Sequence, residues 1–144
     1  MLDFTTDLGQ RALQRIQAEQ IIWLTTVTPS GLPQPKPVWF VWDGVAFTIY
    51  SQPTAKKIPH IAQNPNVSLH FDAGADGVDV QVFLGVAHSH ATAPPISLLP
   101  AYVEKYRVGM AQIGMTEAQY ASTFSVAIQI TPLRLRGLLP ISAV

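Results

Sequence analysis

The chain of 144 residues is 48% hydrophobic and only 12% charged, where soluble domains carry roughly 25%. That length holds one domain, 1–144, and so little charge points to a surface partly covered by a second copy of the chain. Nine basic and nine acidic residues cancel, which excludes a polyanion such as nucleic acid, and the absence of cysteine excludes disulfides, thiol nucleophiles and cysteine-bound metals.

The start, Met1-Leu2-Asp3-Phe4, lacks the basic and apolar regions of a secretory leader. Nowhere do about 18 apolar residues run together, so a soluble, cytoplasmic protein without a membrane span is expected.

Residues 6–18 predict an opening helix, with Leu8, Ala12 and Ile16 at helical spacing, Asp7 early and Arg15 late. The texture then changes. Ile21 to Val27 is β-branched and aromatic, and Pro29-Ser30-Gly31 closes it as a turn. After the proline-rich segment Pro33 to Pro37, a second strand is expected at Val38-Trp39-Phe40-Val41-Trp42. Asp43-Gly44 is a two-residue hairpin signal leading directly into a strand from Val45 to Tyr50.

Ser51 to Gln63 reads as a loop and a short helix that becomes regular near Pro59, because proline has no amide hydrogen for a helix interior. Strands are expected at Val67 to Phe71 and Val78 to Ala87, around the turn-rich Ala73 to Gly77. Pro94 and Pro95 open a helical stretch carrying Leu98, Leu99, Tyr102, Val103 and Tyr106. Thr116 caps a short helix through Tyr120. Phe124 to Thr131 is a last strand, extended after Pro132 by Leu133 to Leu138. Few full-length helices separate these strands, so the sheet is mostly antiparallel, and closure into a barrel would remove its edges.

Lys56-Lys57 is the most informative local feature. These are the only basic residues between Lys36 and Lys105, they follow the loop formers Ser51 to Ala55, and a helix comes next. Ammonium groups, free amides and a helix start suit a phosphate, although a solvated surface pair would look the same in sequence. Lys36 enters an apolar strand between prolines, as either an edge guard or a ligand contact. Trp39 and Trp42 read most simply as core or interface aromatics.

His88 and His90 share a strand face, but no third ligand accompanies them in sequence, so no metal site is expected. No residue stands out as a catalytic acid, base or nucleophile, and any reactive atom would belong to a cofactor.

In order, Gly31-x-Pro33-x-x-Lys36-x-Val38, Asp43-Gly44, Phe47-x-x-Tyr50-Ser51, Lys56-Lys57 and Asn64-Pro65 resemble the pyridoxamine-phosphate-oxidase-like, flavin-binding split-barrel family. Trp39 to Gly44, Tyr50 to Pro53 and Leu133-Arg134-Leu135-Arg136-Gly137 look more like its branch of oxidoreductases that use the deazaflavin coenzyme F420. The resemblance implies a mainly β fold, a six-stranded antiparallel split barrel with peripheral helices. It also implies a homodimer with FMN or F420 bound between subunits, transferring hydride to or from a small unsaturated substrate.

By position, Lys56 and Lys57 would hold the cofactor phosphate, and Lys36 falls at a phosphate-binding arginine. Pro37, Val38 and Trp39 would run beside the ring, and Tyr50 and Ser51 would line the ribityl–phosphate region. Trp39 is also a candidate to stack on the substrate. Gln81 is one position from a flavin-contacting glutamine, and that role is not carried over. The segment from Gly137 to Val144 lacks the arginine and histidine that pyridoxamine phosphate oxidases use for substrate, so that oxidation is not the expected activity. The alternative is a non-catalytic carrier or sensor of the same cofactor.

Overall fold

The computed structural model describes residues 2–90 and 99–140. The first helix, α1 (Asp7–Ala18), starts where Thr6 accepts a hydrogen bond from the Gly9 amide at 3.0 Å. Asp7 in its first turn and Arg15 in its last complement the helix dipole. Seven strands follow with three more helices: β1 (Ile22–Val27), β2 (Pro33–Val38), β3 (Val41–Trp42), β4 (Phe47–Ser51), α2 (Lys57–Gln63), β5 (Asn66–His70), β6 (Val80–His90), α3 (Pro100–Gln112), α4 (Glu117–Thr123) and β7 (Val126–Leu138).

All strands join one antiparallel sheet in the order β2-β1-β5-β6-β7-β4-β3. Laid flat, seven strands about 4.8 Å apart would separate the outermost pair by about 29 Å. Yet β2 and β3 are those outermost strands, and only Trp39 and Phe40 lie between them. Three Cα steps reach at most about 11 Å. The sheet must therefore curl until its edges meet at Trp39-Phe40, which makes it a barrel split along one seam.

The strand count is seven, not the expected six, because the segment expected as one strand at Val38–Trp42 breaks at this seam. Pro33 to Pro37, expected as an irregular lead-in, forms most of β2. Prolines are tolerated there because β2 is an edge strand with one side free of the ladder.

Three other boundaries move. The hairpin loop is residues 43–46, and β4 begins at Phe47 rather than Val45. The Asp43 carboxylate accepts from the amides of Val45 and Ala46, each at 2.8 Å, and so holds a wider turn than Asp-Gly alone demands. Helix α2 begins at Lys57, with Pro59 in its first turn, where a missing N–H costs nothing. Pro94, Pro95 and Leu98 lie outside the described residues; the helix beyond them starts on Pro100.

Two apolar layers result. Inward residues Ile22, Leu24, Phe47, Ile49, Leu69, Phe83, Ile128 and Ile130 fill the barrel together with Phe40 and with Ile16 from α1. On the outside, Tyr50 and Ala127 pack against Tyr102, Val103, Tyr106 and Met110 of α3 and Tyr120 of α4. Strand β7 bends past Pro132, where the register slips opposite Leu84 and Gly85. A bulge at a proline is physically natural, since the ladder loses a donor there anyway.

Candidate cofactor site

Register decides what each residue of β2 faces. Lys36 pairs with Leu24 and Val38 with Ile22, both partners being buried in the barrel, so the Lys36 side chain leaves from the inner face. Pro37 pairs with half-buried Trp23 and projects outward. Lys36 and Pro37 are exposed, whereas Val38 is buried.

Lys57, the first residue of α2, is half-buried. Its pKa is held below the ordinary lysine value, first by lost hydration and then by the positive charge of Lys36. The charge of Lys36 on β2 is therefore felt at Lys57, at the start of α2. Neither forms an ion pair with a carboxylate among the described residues. Two like charges that repel, one of them partly dehydrated, are unfavourable until an anion binds to them. That donor set fits a phosphate. Helix α2, at seven residues, is too short to add much, so the side chains carry the attraction.

The other expected contacts are placed differently. Lys56 is exposed at the N-cap position of α2 and makes no side-chain capping bond. Tyr50 is buried in the outer layer, edge-on to Tyr102 at 5.1 Å, and burial pushes its phenol pKa up. Ser51 is buried, its hydroxyl donating to the Gln52 carbonyl at 3.1 Å. The Trp39 ring stacks on Tyr106 at 4.6 Å and on Tyr120 at 5.2 Å, so its side chain is engaged by α3 and α4. The structure thus brings Lys36, Pro37, Val38 and Lys57 to one region. It turns the Trp39 and Tyr50 rings toward the helices.

Two residues that the sequence did not single out as site residues hold the seam. The Tyr106 hydroxyl accepts from the Phe40 amide at 2.8 Å and lies 2.7 Å from the Gln20 carbonyl oxygen and 3.0 Å from that of Phe40, to one of which it donates. The Lys105 ammonium donates to the Phe40 carbonyl at 3.0 Å and sits 3.5 Å from the centre of the Phe40 ring. Burial brings the Lys105 pKa down to about 8, partly offset by the charge of Glu19. The backbone groups freed where β2 breaks from β3 are thereby satisfied by α3.

Gln81 is fully buried and accepts from Arg15 at 2.9 Å while donating to Asp79 at 2.9 Å. Its amide is spent on a structural network. No cluster of three metal-ligating side chains occurs among the described residues, where His88 and His90 are exposed on β6. None of the described helices is long and apolar enough to cross a membrane.

The family profile of pyridoxamine 5'-phosphate oxidase matches residues 8–138. The chain belongs to this family. No curated protein matches the sequence. Among solved structures, an F420 reductase is similar at 20% identity and a TM-score of 0.68, over 85% of this chain and 94% of its own. An FAD-binding protein from Mesorhizobium loti shares 14% identity with a TM-score of 0.63, over 88% of this chain and 89% of its own. A heme-storage protein from Vibrio cholerae shares 15% with a TM-score of 0.63, over 92% of this chain and 96% of its own. At such identities the likeness concerns the split-barrel fold, which these proteins use for different groups.

Proposed function

We infer that this split barrel binds FMN or the deazaflavin coenzyme F420 as a homodimer and acts as an oxidoreductase on a small unsaturated substrate. The observation that carries the reading is the Lys36–Lys57 pair, two mutually repelling cations of which neither has an ion pair among the described residues. A phosphate-bearing cofactor would supply the missing negative charge. When bound, the cofactor provides hydride chemistry.

The protein's part is to hold and orient. Lys57 and Lys36 would anchor the phosphate, with exposed Lys56 adding long-range attraction. The backbone of residues 36–39 would run along the ring, kept in line by the Lys105 and Tyr106 contacts to Phe40. Fixing a reactive ring against a rigid strand is a positional contribution that needs no side-chain acid or base.

A second copy has an apolar face to cover. An open groove of about 470 Å3 crosses the outside of the sheet, lined in part by Val27, Leu84 and Leu133. Leu133 is 55% exposed there, which supports burial against another protomer.

A non-catalytic carrier of the same cofactor is the second reading, favoured by a sequence in which no residue stands out as a catalytic acid, base or nucleophile. Fluorescence titration with FMN and with F420 tests binding. Oxidation of the reduced cofactor with and without candidate acceptors then separates enzyme from carrier. Acceptor-dependent turnover supports the oxidoreductase, and binding without it supports the carrier. Failure to bind either cofactor at micromolar concentration would overturn both.

A further inference from the structure

Prolines stand at every second residue of the edge strand β2, at positions 33, 35 and 37. The register pairs Gln34 with Thr26, Lys36 with Leu24 and Val38 with Ile22. In an antiparallel ladder the N–H and C=O of one residue point to the same side, and neighbouring residues alternate. Proline has no N–H to give. The ladder to β1 is therefore made by Gln34, Lys36 and Val38, and the carbonyls of Pro33, Pro35 and Pro37 point to the open side.

No backbone donor or side chain among the described residues bonds to those three carbonyls. The free side of β2 is thus a row of acceptors about 7 Å apart. The first N–H on that side belongs to Trp39, after the strand has ended. Ordinary edge strands alternate donors and acceptors; this one offers acceptors only.

A ring lying along residues 36–39 can meet the strand's backbone only from this side, because β1 takes the other. Flavins and deazaflavins share one outline and differ at position 5 of the central ring. An oxidised flavin has a nitrogen lone pair there, which needs a donor, whereas a deazaflavin has a C–H. Against a carbonyl the nitrogen is left unpaired and repelled, while the C–H makes a weak favourable contact.

We propose that the proline-alternated edge of β2 selects a deazaflavin over a flavin, with Pro37 the residue that matters most. This rests on the reading that a phosphate-bearing tricycle lies along residues 36–39, and it puts position 5 of the central ring at the Pro37 carbonyl rather than at the Trp39 N–H. Selectivity comes from denying the wrong ring its hydrogen bond, not from extra contacts to the right one.

Titration with FMN and with 5-deaza-FMN, which carry the same phosphate tail, isolates the effect. The wild-type protein is expected to bind 5-deaza-FMN about tenfold more tightly than FMN. Pro37→Ala restores one N–H at an exposed edge position and is expected to bring that ratio to about threefold or less, through tighter FMN binding. Equal affinities in the wild type, or a preference for FMN, would overturn the selectivity while leaving the cofactor site standing. An unchanged ratio in a folded Pro37→Ala protein would overturn the role of the edge. Binding of neither compound would overturn the site itself, and the selectivity with it. The wild-type comparison decides the matter even if the variant does not fold.

Discussion

Two clusters of cations lie at the rim of this barrel, and they are built on opposite terms. At one, Arg11 meets Asp79 at 2.6 Å, and buried Arg15 reaches Glu19 at 3.1 Å, Gln81 at 2.9 Å and the Asp79 carbonyl at 3.1 Å. The Arg15 guanidinium also lies 5.0 Å from the Phe71 ring centre. Every charge there has a partner, and the Arg11 guanidinium holds the Asp79 carboxyl down at about 2. At the other cluster, Lys36 repels Lys57 and neither has an ion pair among the described residues. A satisfied ionic network serves the fold, and an unsatisfied one has a vacancy of charge that only something external fills.

The contrast is broken most forcefully at Arg15. Arg15→Met leaves Asp79 and Gln81 short of a donor inside the rim and is expected to cost about 3 kcal/mol in urea unfolding. The same cluster sets an acid limit. Because the Asp79 pKa is lowered in the folded state, its contribution is complete above the unfolded value of 3.8 and is lost as pH falls toward 2. Thermal unfolding followed between pH 5 and 2, with Asp79→Asn losing part of that slope, checks the sign.

Lys57→Met should do the reverse of Arg15→Met. Cofactor affinity is expected to fall about 30-fold, read by fluorescence titration, because a charge-assisted contact to phosphate is removed. Stability without cofactor should stay level or rise, since the variant removes a partly dehydrated charge that repels Lys36. A loss of stability as large as that of Arg15→Met would mean that the lysine is structural after all.

Lys105 lies between these extremes, a half-buried cation satisfied by a carbonyl and a ring. Its pKa of about 8 lies below the ordinary 10.5, so the folded protein releases this proton first and its stability rises between those two pH values. In Lys105→Met that rise is absent, and the difference between the two proteins should change by about 1 kcal/mol across the window after solvent screening. The smallest effect belongs to Lys56→Ala, at less than about threefold in cofactor affinity, because an exposed ammonium contributes mainly diffuse attraction.

Much of this was legible in sequence. Alternation in Ile22–Val27 and Phe47–Ser51 marked the strands, and the lysines at 36 and 57 stood out because basic residues are scarce. What could not be read was pairing at a distance. Lys56 and Lys57 look equivalent as neighbours, yet Lys56 is exposed and Lys57 is half-buried. Tyr106 appeared as one more apolar helix position, and its bond to Phe40 spans 66 residues. The seam escaped notice because Val38–Trp42 has the composition of one continuous strand; only the meeting of the sheet's two edges forces the break at Trp39-Phe40. The edge strand hid behind its prolines, which argue against a strand anywhere but at an edge.

The central claim is that the paired lysines recognise a phosphate. Calorimetric titration of the wild-type protein and Lys57→Met with FMN and with riboflavin, its phosphate-free counterpart, tests this directly. The account predicts that FMN binds the wild type at least about tenfold more tightly than riboflavin, and that Lys57→Met erases most of the difference. Equal affinity for the two compounds in the wild-type protein would contradict it.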